Sequence, residues 1–299
     1  MAFVPSNLPE QRVYQDHVFP LTLTWTQSES ENVCPMDWLQ INASNVDSLL
    51  RKHRAILFRC SNLVRTHEEF DKIIEALNYN CMDYVGGAAV RTQLTSRVFT
   101  ANESPSSENI PFHHEMAQTP DPPTHLFFFC EVPPTQGGAT PILISSEVCE
   151  RMQKLHPVFM DELDKCGVRY VRVMSEYDDP TSAIGRGWRS TFQCTDRDGA
   201  ECALKALGSS WEWLPDGSLK TVTSTVPALR VDDQPATAER SGQKTFFNSL
   251  VAAHTGWNDS RNVGERAVVL GEGIGGESSG ATTNTISSSS SSSSSNRNR

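Results

Sequence analysis

The sequence predicts a mixed α/β fold that is mainly β, a sandwich or barrel with flanking and inserted helices. Short apolar runs broken by Gly, Pro, Asn and Ser recur through the middle of the chain, at 97–100, 125–132 and 141–145. The turn sequence 214–217 separates the apolar runs 211–213 and 219–222, which predicts a β-hairpin. Segments with helical spacing precede and interrupt these runs.

Helical and strand signals alternate in the first quarter of the chain. Residues 46–52 have the pattern of a short amphipathic helix, and the compact apolar run 55–58 suits a buried strand. Thr66 and Glu69 form a capping-box pattern, and apolar side chains then recur at helical spacing as far as Leu77. We therefore expect a second helix to begin at this box.

The second half of the chain contains a predicted helical insertion and a change of composition. Residues 147–155 and 158–166 predict two helices hinged at Pro157, followed by the strand 168–173. From residue 271 the chain consists mainly of Gly, Ser, Thr and Asn, with too little apolar area to offset the entropy of ordering. We expect one domain over 1–270 and a disordered tail over 271–299.

Composition and charge exclude several classes of function. The formal net charge is -10 and no Lys/Arg run is long enough to follow a phosphate backbone, so we expect no nucleic-acid partner. No segment has the pattern of a signal peptide or a membrane span, which predicts a cytoplasmic protein without a membrane partner. The eight cysteines include no C-x-x-C pair, so neither a disulfide scaffold nor a zinc ribbon is expected.

The sequence 111–116, Pro-Phe-His-His-Glu-Met, is a candidate metal site. On a strand, His113 and Glu115 would face the same side, with His114 on the other. With one distant histidine they would complete a two-His-one-carboxylate site, which leaves metal positions open for substrate and oxygen. Alone, the pair is weak evidence for a metal site, and a solvated edge or a satisfied core histidine explains it better. A zinc hydrolase is disfavoured because the chain has no H-E-x-x-H helix and no G-x-S-x-G elbow.

Several stretches in a fixed order resemble one enzyme family. They are 84–89, 98–105, 137–141 (Gly-Gly-Ala-Thr-Pro), 184–188 and 247–253. Over about residues 50–270 the chain resembles the plant clavaminate synthase-like proteins of the TauD/TfdA-like oxygenases. The resemblance implies a double-stranded β-helix (jelly roll) core, and a dioxygenase that uses Fe(2+), 2-oxoglutarate and O2 to hydroxylate a small molecule.

The resemblance also implies roles for single residues. His113 and Glu115 would bind the metal, and Thr140 would hydrogen-bond 2-oxoglutarate. Five further residues are candidates for the substrate pocket, namely Asn102, Arg186, Trp188, Asn248 and His254. The sequence indicates neither the primary substrate nor the oligomeric state.

The chain departs from the family pattern after residue 269. Family members carry there a distal metal-binding histidine and an arginine that pairs with 2-oxoglutarate. His254 and Arg266 imitate their spacing, but His254 lies in a stretch that resembles an earlier pocket or lid segment. The chain therefore resembles a C-terminally truncated member without its closing strands. This leaves an alternative function open, that of a catalytically inactive family member acting as a binding or regulatory module.

Overall fold

The computed structural model describes residues 3–26, 34–59, 64–101, 103–105, 110–231 and 242–253. The helices in these ranges are α1 (Pro35–Ile41), α2 (Ala43–His53), α3 (His67–Leu77), α4 (Ser145–Leu155), α5 (Pro157–Cys166), α6 (Trp188–Thr191) and α7 (Arg197–Ala206). The strands are β1 (Phe3–Ser6), β2 (Arg12–Tyr14), β3 (His17–Phe19), β4 (Leu21–Trp25), β5 (Ile56–Arg59), β6 (Val171–Met174), β7 (Ser210–Trp213), β8 (Leu219–Val222), β9 (Leu229–Val231) and β10 (Lys244–Phe246).

The N-terminal layer is a three-stranded sheet with helices packed on it. Its order is β1-β4-β5, with β1 antiparallel and β5 parallel to the central strand β4. Parallel neighbours need a crossover connection, which α1 and α2 supply. Buried side chains from the sheet and from α1 to α3 form one core cluster, Phe3, Leu21, Leu23, Leu39, Val46 and Leu77.

The second layer is the sheet β6-β8-β7. Gly217 has φ +84°, so the residue without a Cβ occupies the left-handed position that closes the β7–β8 turn. Leu219 on β8 and Leu204 on α7 are almost completely buried, and each contributes about 2 kcal/mol by leaving water. This packing fixes β6, and Arg172 on β6 donates to backbone carbonyls in two loops, at Ala88 and at Ile184 and Arg186.

Several sequence predictions are confirmed. The helix predicted at 46–52 is α2, and the helix after the Thr66–Glu69 box is α3, with both reciprocal bonds of the box present. The pair hinged at Pro157 is α4 and α5, and the predicted hairpin is β7–β8. These predictions depended on local signals, such as caps, proline and turn residues.

The three central strands were predicted wrongly. Residues 97–100, 125–132 and 141–144 are not in strands, and the last of these runs leads directly into α4 at Ser145. A strand needs a hydrogen-bonded neighbour, and within the described residues only one isolated bridge, between Gln93 and Phe99, touches these runs. Apolar composition alone does not provide that neighbour.

The described strands form four small sheets, two of three strands and two of two strands. They make a mixed α/β arrangement, but within the described residues they do not close into a barrel, so the jelly-roll prediction is not confirmed. The predicted tail, 271–299, lies outside the described residues. None of the helices in the described ranges is long and apolar enough to cross a membrane.

The capping box of α3 makes a stability test possible. Replacing Thr66 with alanine removes the hydroxyl that accepts from the Glu69 backbone N–H. We expect the free energy of unfolding to fall by about 1 kcal/mol, measured by urea denaturation. Thr66→Ser should retain most of the stability, and Thr135→Ala in an exposed loop should change little. Equal losses in Thr66→Ala and Thr135→Ala would contradict this role of the cap.

Candidate active site

Residues 113–117 form a tight turn instead of the predicted strand. Met116 has φ +53°, and the Ala117 N–H donates to the His114 carbonyl over 3.4 Å. Met116 and Ala117 are both buried, so the chain turns inwards directly after Glu115. The strand placement of His113 and Glu115 is therefore corrected, because burial of the next two residues bends the backbone here.

The Glu115 carboxylate is held by an ion pair. Its Oε2 accepts from Arg91 Nη2 over 3.0 Å, and the two side chains are only 17% and 19% exposed. Within the described residues Oε1 has no hydrogen-bond partner. Arg91 thus orients the carboxylate through one oxygen and leaves the other as a potential metal ligand.

His113 is exposed, and its ring is oriented by the backbone. Its Nδ1 lies 2.8 Å from the Pro111 carbonyl oxygen. Because a carbonyl only accepts, Nδ1 carries the proton and Nε2 keeps its lone pair. A hydrogen bond from the non-ligating nitrogen is the arrangement that proteins use to orient metal-binding histidines.

The side chains of His113 and Glu115 fit part of an iron site as metal ligands. An imidazole with its lone pair on Nε2 and a carboxylate with one uncommitted oxygen are suitable ligand types for iron(II). In the described parts of the chain, no group of three His, Cys, Asp or Glu side chains could hold a metal ion. A third protein ligand would have to come from elsewhere in the chain, and His254 lies outside the described residues.

The middle residue, His114, connects the turn to two other parts of the fold. Its Nε2 lies 2.7 Å from Ser145 Oγ at the start of α4, and its Nδ1 lies 3.1 Å from the Asn248 carbonyl oxygen. Ser249 Oγ donates to the His114 carbonyl, and the Phe247 ring packs on the imidazole at 4.4 Å. Burial lowers the pKa of His114, which favours the neutral form that accepts from Ser145.

Thr140, the predicted 2-oxoglutarate residue, is exposed and lies in a loop five residues before α4. The strand predicted over 141–145 is absent, so Thr140 does not lie at the start of a strand. The loop it occupies contains Gly137 and Gly138, both with positive φ, which lets the chain turn sharply before Thr140. Its role towards 2-oxoglutarate stays a prediction.

The predicted pocket residues lie in different surroundings. Trp188 is a core residue, 2% exposed, with its Nε1 donating to the Gly217 carbonyl and its ring edge-on to Trp213. Asn248 is buried, and its side chain binds the backbone of Ala228 and Leu250. Arg186 is half-buried, with its Cζ 4.8 Å from the centroid of the Tyr84 ring. Asn102 and His254 lie outside the described residues.

Sequence reasoning missed Arg91, Tyr84 and Ser145. No local pattern identifies the cation that pairs with a given carboxylate 24 positions away. The sequence around Tyr84 was noted for its glycines, and the ring contacts of the tyrosine become evident only in three dimensions. The one available signal was His114, a second histidine directly beside the candidate ligands. A partly buried imidazole needs hydrogen-bond partners, and Ser145 is one of them.

The contact between His114 and Ser145 gives a second prediction. Ser145→Ala leaves the partly buried Nε2 of His114 without its donor, which should lower the free energy of unfolding by about 1–2 kcal/mol, measured in urea. Ser210→Ala, at an exposed strand position, is the matched control and should have a much smaller effect. A loss no larger than that of the control would show that this contact does not hold the turn.

Comparisons with known proteins show the family to which this chain belongs. The family model described as "Taurine catabolism dioxygenase TauD, TfdA family" matches residues 17–267. A clavaminate synthase-like protein of Arabidopsis thaliana is 42% identical over 279 residues, covering 91% of this chain and 82% of that protein. Enzymes of this family generally use iron(II), 2-oxoglutarate and O2 and act on small molecules. A match of this extent shows that the chain belongs to the TauD/TfdA dioxygenase family.

Proposed function

We propose that this chain is an Fe(II)- and 2-oxoglutarate-dependent dioxygenase that hydroxylates a small organic molecule. The observation that carries the proposal is the family match over residues 17–267, which includes His113, Glu115 and Thr140. The chemistry of the first two side chains supports it, because each is oriented by a neighbour and each belongs to a ligand type that suits iron(II).

The bound iron would supply the oxidative decarboxylation of 2-oxoglutarate to succinate, coupled to hydroxylation of the substrate. The residues of the chain bind and orient the reactants. His113 Nε2 and Glu115 Oε1 are the proposed iron ligands, and Arg91 fixes the carboxylate by its bond to Oε2. The hydroxyl of Thr140 is the proposed donor to 2-oxoglutarate.

His114 supports this arrangement without being a ligand. It ties the turn to the start of α4 through Ser145 and to segment 247–250 through Asn248. A misplacement of about 1 Å can lower a reaction rate about 100-fold. A turn that is fixed on both sides therefore helps to hold the two proposed iron ligands in position.

The direct test is succinate release by the purified chain with iron, ascorbate, 2-oxoglutarate and oxygen. Replacing His113 or Glu115 with alanine removes a proposed ligand, and we expect the rate to fall at least about 100-fold together with iron retention. His156→Ala, which removes an exposed histidine between α4 and α5, should behave like the wild type. Succinate release in the wild type no higher than in His113→Ala would favour the alternative of an inactive binding or regulatory module.

Thr140 has a separate test. Thr140→Val keeps the shape of the side chain and removes the hydroxyl, so we expect the KM for 2-oxoglutarate to rise about tenfold with a smaller change in kcat. Thr135→Val, five residues earlier in the same exposed loop, is the control. Equal KM values in the two variants would remove Thr140 from the cosubstrate site and leave the assignment of the iron ligands untouched.

A further inference from the structure

The segment 124–132 lies against the N-terminal layer, which it contacts with every second side chain. The His125 ring packs on Tyr79 with 4.7 Å between the ring centroids, and its Nε2 lies 3.5 Å from Asp47 Oδ1. The other contacts on this side are Phe127 with Tyr79, Phe129 with Phe70, and Glu131 with His67. A period of two is characteristic of an extended chain. The segment therefore runs like a strand, although within the described residues it belongs to no sheet.

The side chains between these contacts are exposed to solvent. Phe128 is 68% exposed and Val132 is 80% exposed, and Leu126 and Cys130 are exposed as well. None of the four carries a charge, whereas exposed strands are usually protected from association by lysine or another charged residue. A single exposed apolar side chain is ordinary, but a row of them on one face of an extended segment is typical of an interaction surface.

The backbone of the segment 124–132 is available for hydrogen bonding. Within the described residues, none of its N–H or carbonyl groups is bonded to another backbone group or to a side chain. An extended segment with unpaired backbone groups is a template for strand pairing, in which another chain supplies the missing hydrogen bonds.

Two proline pairs set the limits of such a pairing. Residues 122–123 and 133–134 are both Pro-Pro. Proline has no N–H to donate and is excluded from the interior of a sheet, so a partner strand can pair only with 124–132. Phe128 is the middle residue of this interval. An antiparallel pairing centred on Phe128 would therefore use the whole interval and bring no proline into the ladder.

The charged residues of the segment favour a second copy of the same chain as the partner strand. His125 and Glu131 stand three positions before and three positions after Phe128. A two-fold axis at Phe128 therefore places His125 of each copy opposite Glu131 of the other, and it places the two Phe128 rings opposite each other. Cross-strand pairs of opposite charge and of two aromatic rings both stabilise a sheet.

We propose that the segment 124–132 is an interface at which two copies of this chain associate, by antiparallel strand pairing about a two-fold axis at Phe128. Each copy supplies hydrogen-bond partners to the backbone of the other, as a self-complementary two-fold interface requires. The formal net charge of -10 on each copy opposes the association at long range, so screening by salt should strengthen it. The inference does not depend on the proposed activity.

The first experiment measures the oligomeric state of the full chain by sedimentation equilibrium over a range of protein concentrations. The buffer contains about 0.15 M salt, which screens charges beyond about 8 Å. We expect an equilibrium between monomer and dimer. Phe128→Lys removes the aromatic pair and places two like charges opposite each other, so the dissociation constant should rise about tenfold or more. Val158→Lys is the matched control, because Val158 is a similarly exposed apolar residue on α5.

A wild-type chain that stays monomeric at every concentration, or a dimer that Phe128→Lys does not weaken, would overturn the proposal. Dissociation of the dimer by Val158→Lys would also overturn it, because the interface would then lie at α5. The unfolding temperature of each variant shows whether it is folded. If Phe128→Lys does not fold, Val132→Lys is measured in its place, and wild-type association in that variant would equally reject the interface.

The second experiment tests the register by disulfide cross-linking with oxidised glutathione. In the proposed pairing, residue 126 of each copy lies opposite residue 130 of the other. The Cα atoms of opposite residues on antiparallel strands are about 4.5–5.5 Å apart, which a disulfide can span. Leu126→Cys should therefore form a linked dimer through the native Cys130, well above the wild-type background, and adding Cys130→Ser should abolish it. No linked dimer in Leu126→Cys, or one that persists after Cys130→Ser, would reject the pairing about Phe128.

Discussion

The loops around the candidate site contain backbone carbonyls that lie away from water and must accept hydrogen bonds from the protein. Arg172, on β6, donates to several of them from a single guanidinium. Its Nη2 lies within 3.4 Å of the carbonyl oxygens of Ala88, Ile184 and Arg186. Two loops that are almost a hundred positions apart are thereby fixed to one sheet. An unpaired carbonyl in such a place costs about 1–3 kcal/mol, which explains why a rigid planar donor is found here.

His114 has a comparable function in the turn that carries Glu115. Its two ring nitrogens and its carbonyl connect the turn to α4 and to segment 247–250. The two proposed ligands therefore project from a turn whose middle residue is partly buried and hydrogen-bonded through both ring nitrogens and its carbonyl. An exposed histidine and a half-buried carboxylate can keep defined orientations only when the backbone between them is fixed in this way.

The parts of the fold that the sequence predicted correctly are those set by nearby residues. The box at Thr66, the hinge at Pro157 and the turn before Gly217 each act over a few positions. The strands predicted at 125–132 and 141–145 failed because strand formation depends on a partner that the run itself does not contain. Likewise, the spacing of His113 and Glu115 identified a candidate metal site, whereas the partner of Glu115, Arg91, comes from a separate segment.

The contact between Gly87 and Tyr84 also limits how this family member can change during evolution. Because the ring occupies the space of a Cβ, position 87 can accept a side chain only if position 84 becomes smaller. That change would remove the ring on which the guanidinium groups of Arg91 and Arg186 both pack, each with its Cζ 4.8 Å from the ring centroid, without altering either arginine. We therefore expect positions 84 and 87 to vary together among homologues, and the orientation of the Glu115 carboxylate, which Arg91 holds, to shift with them even where Arg91 and Glu115 are both retained.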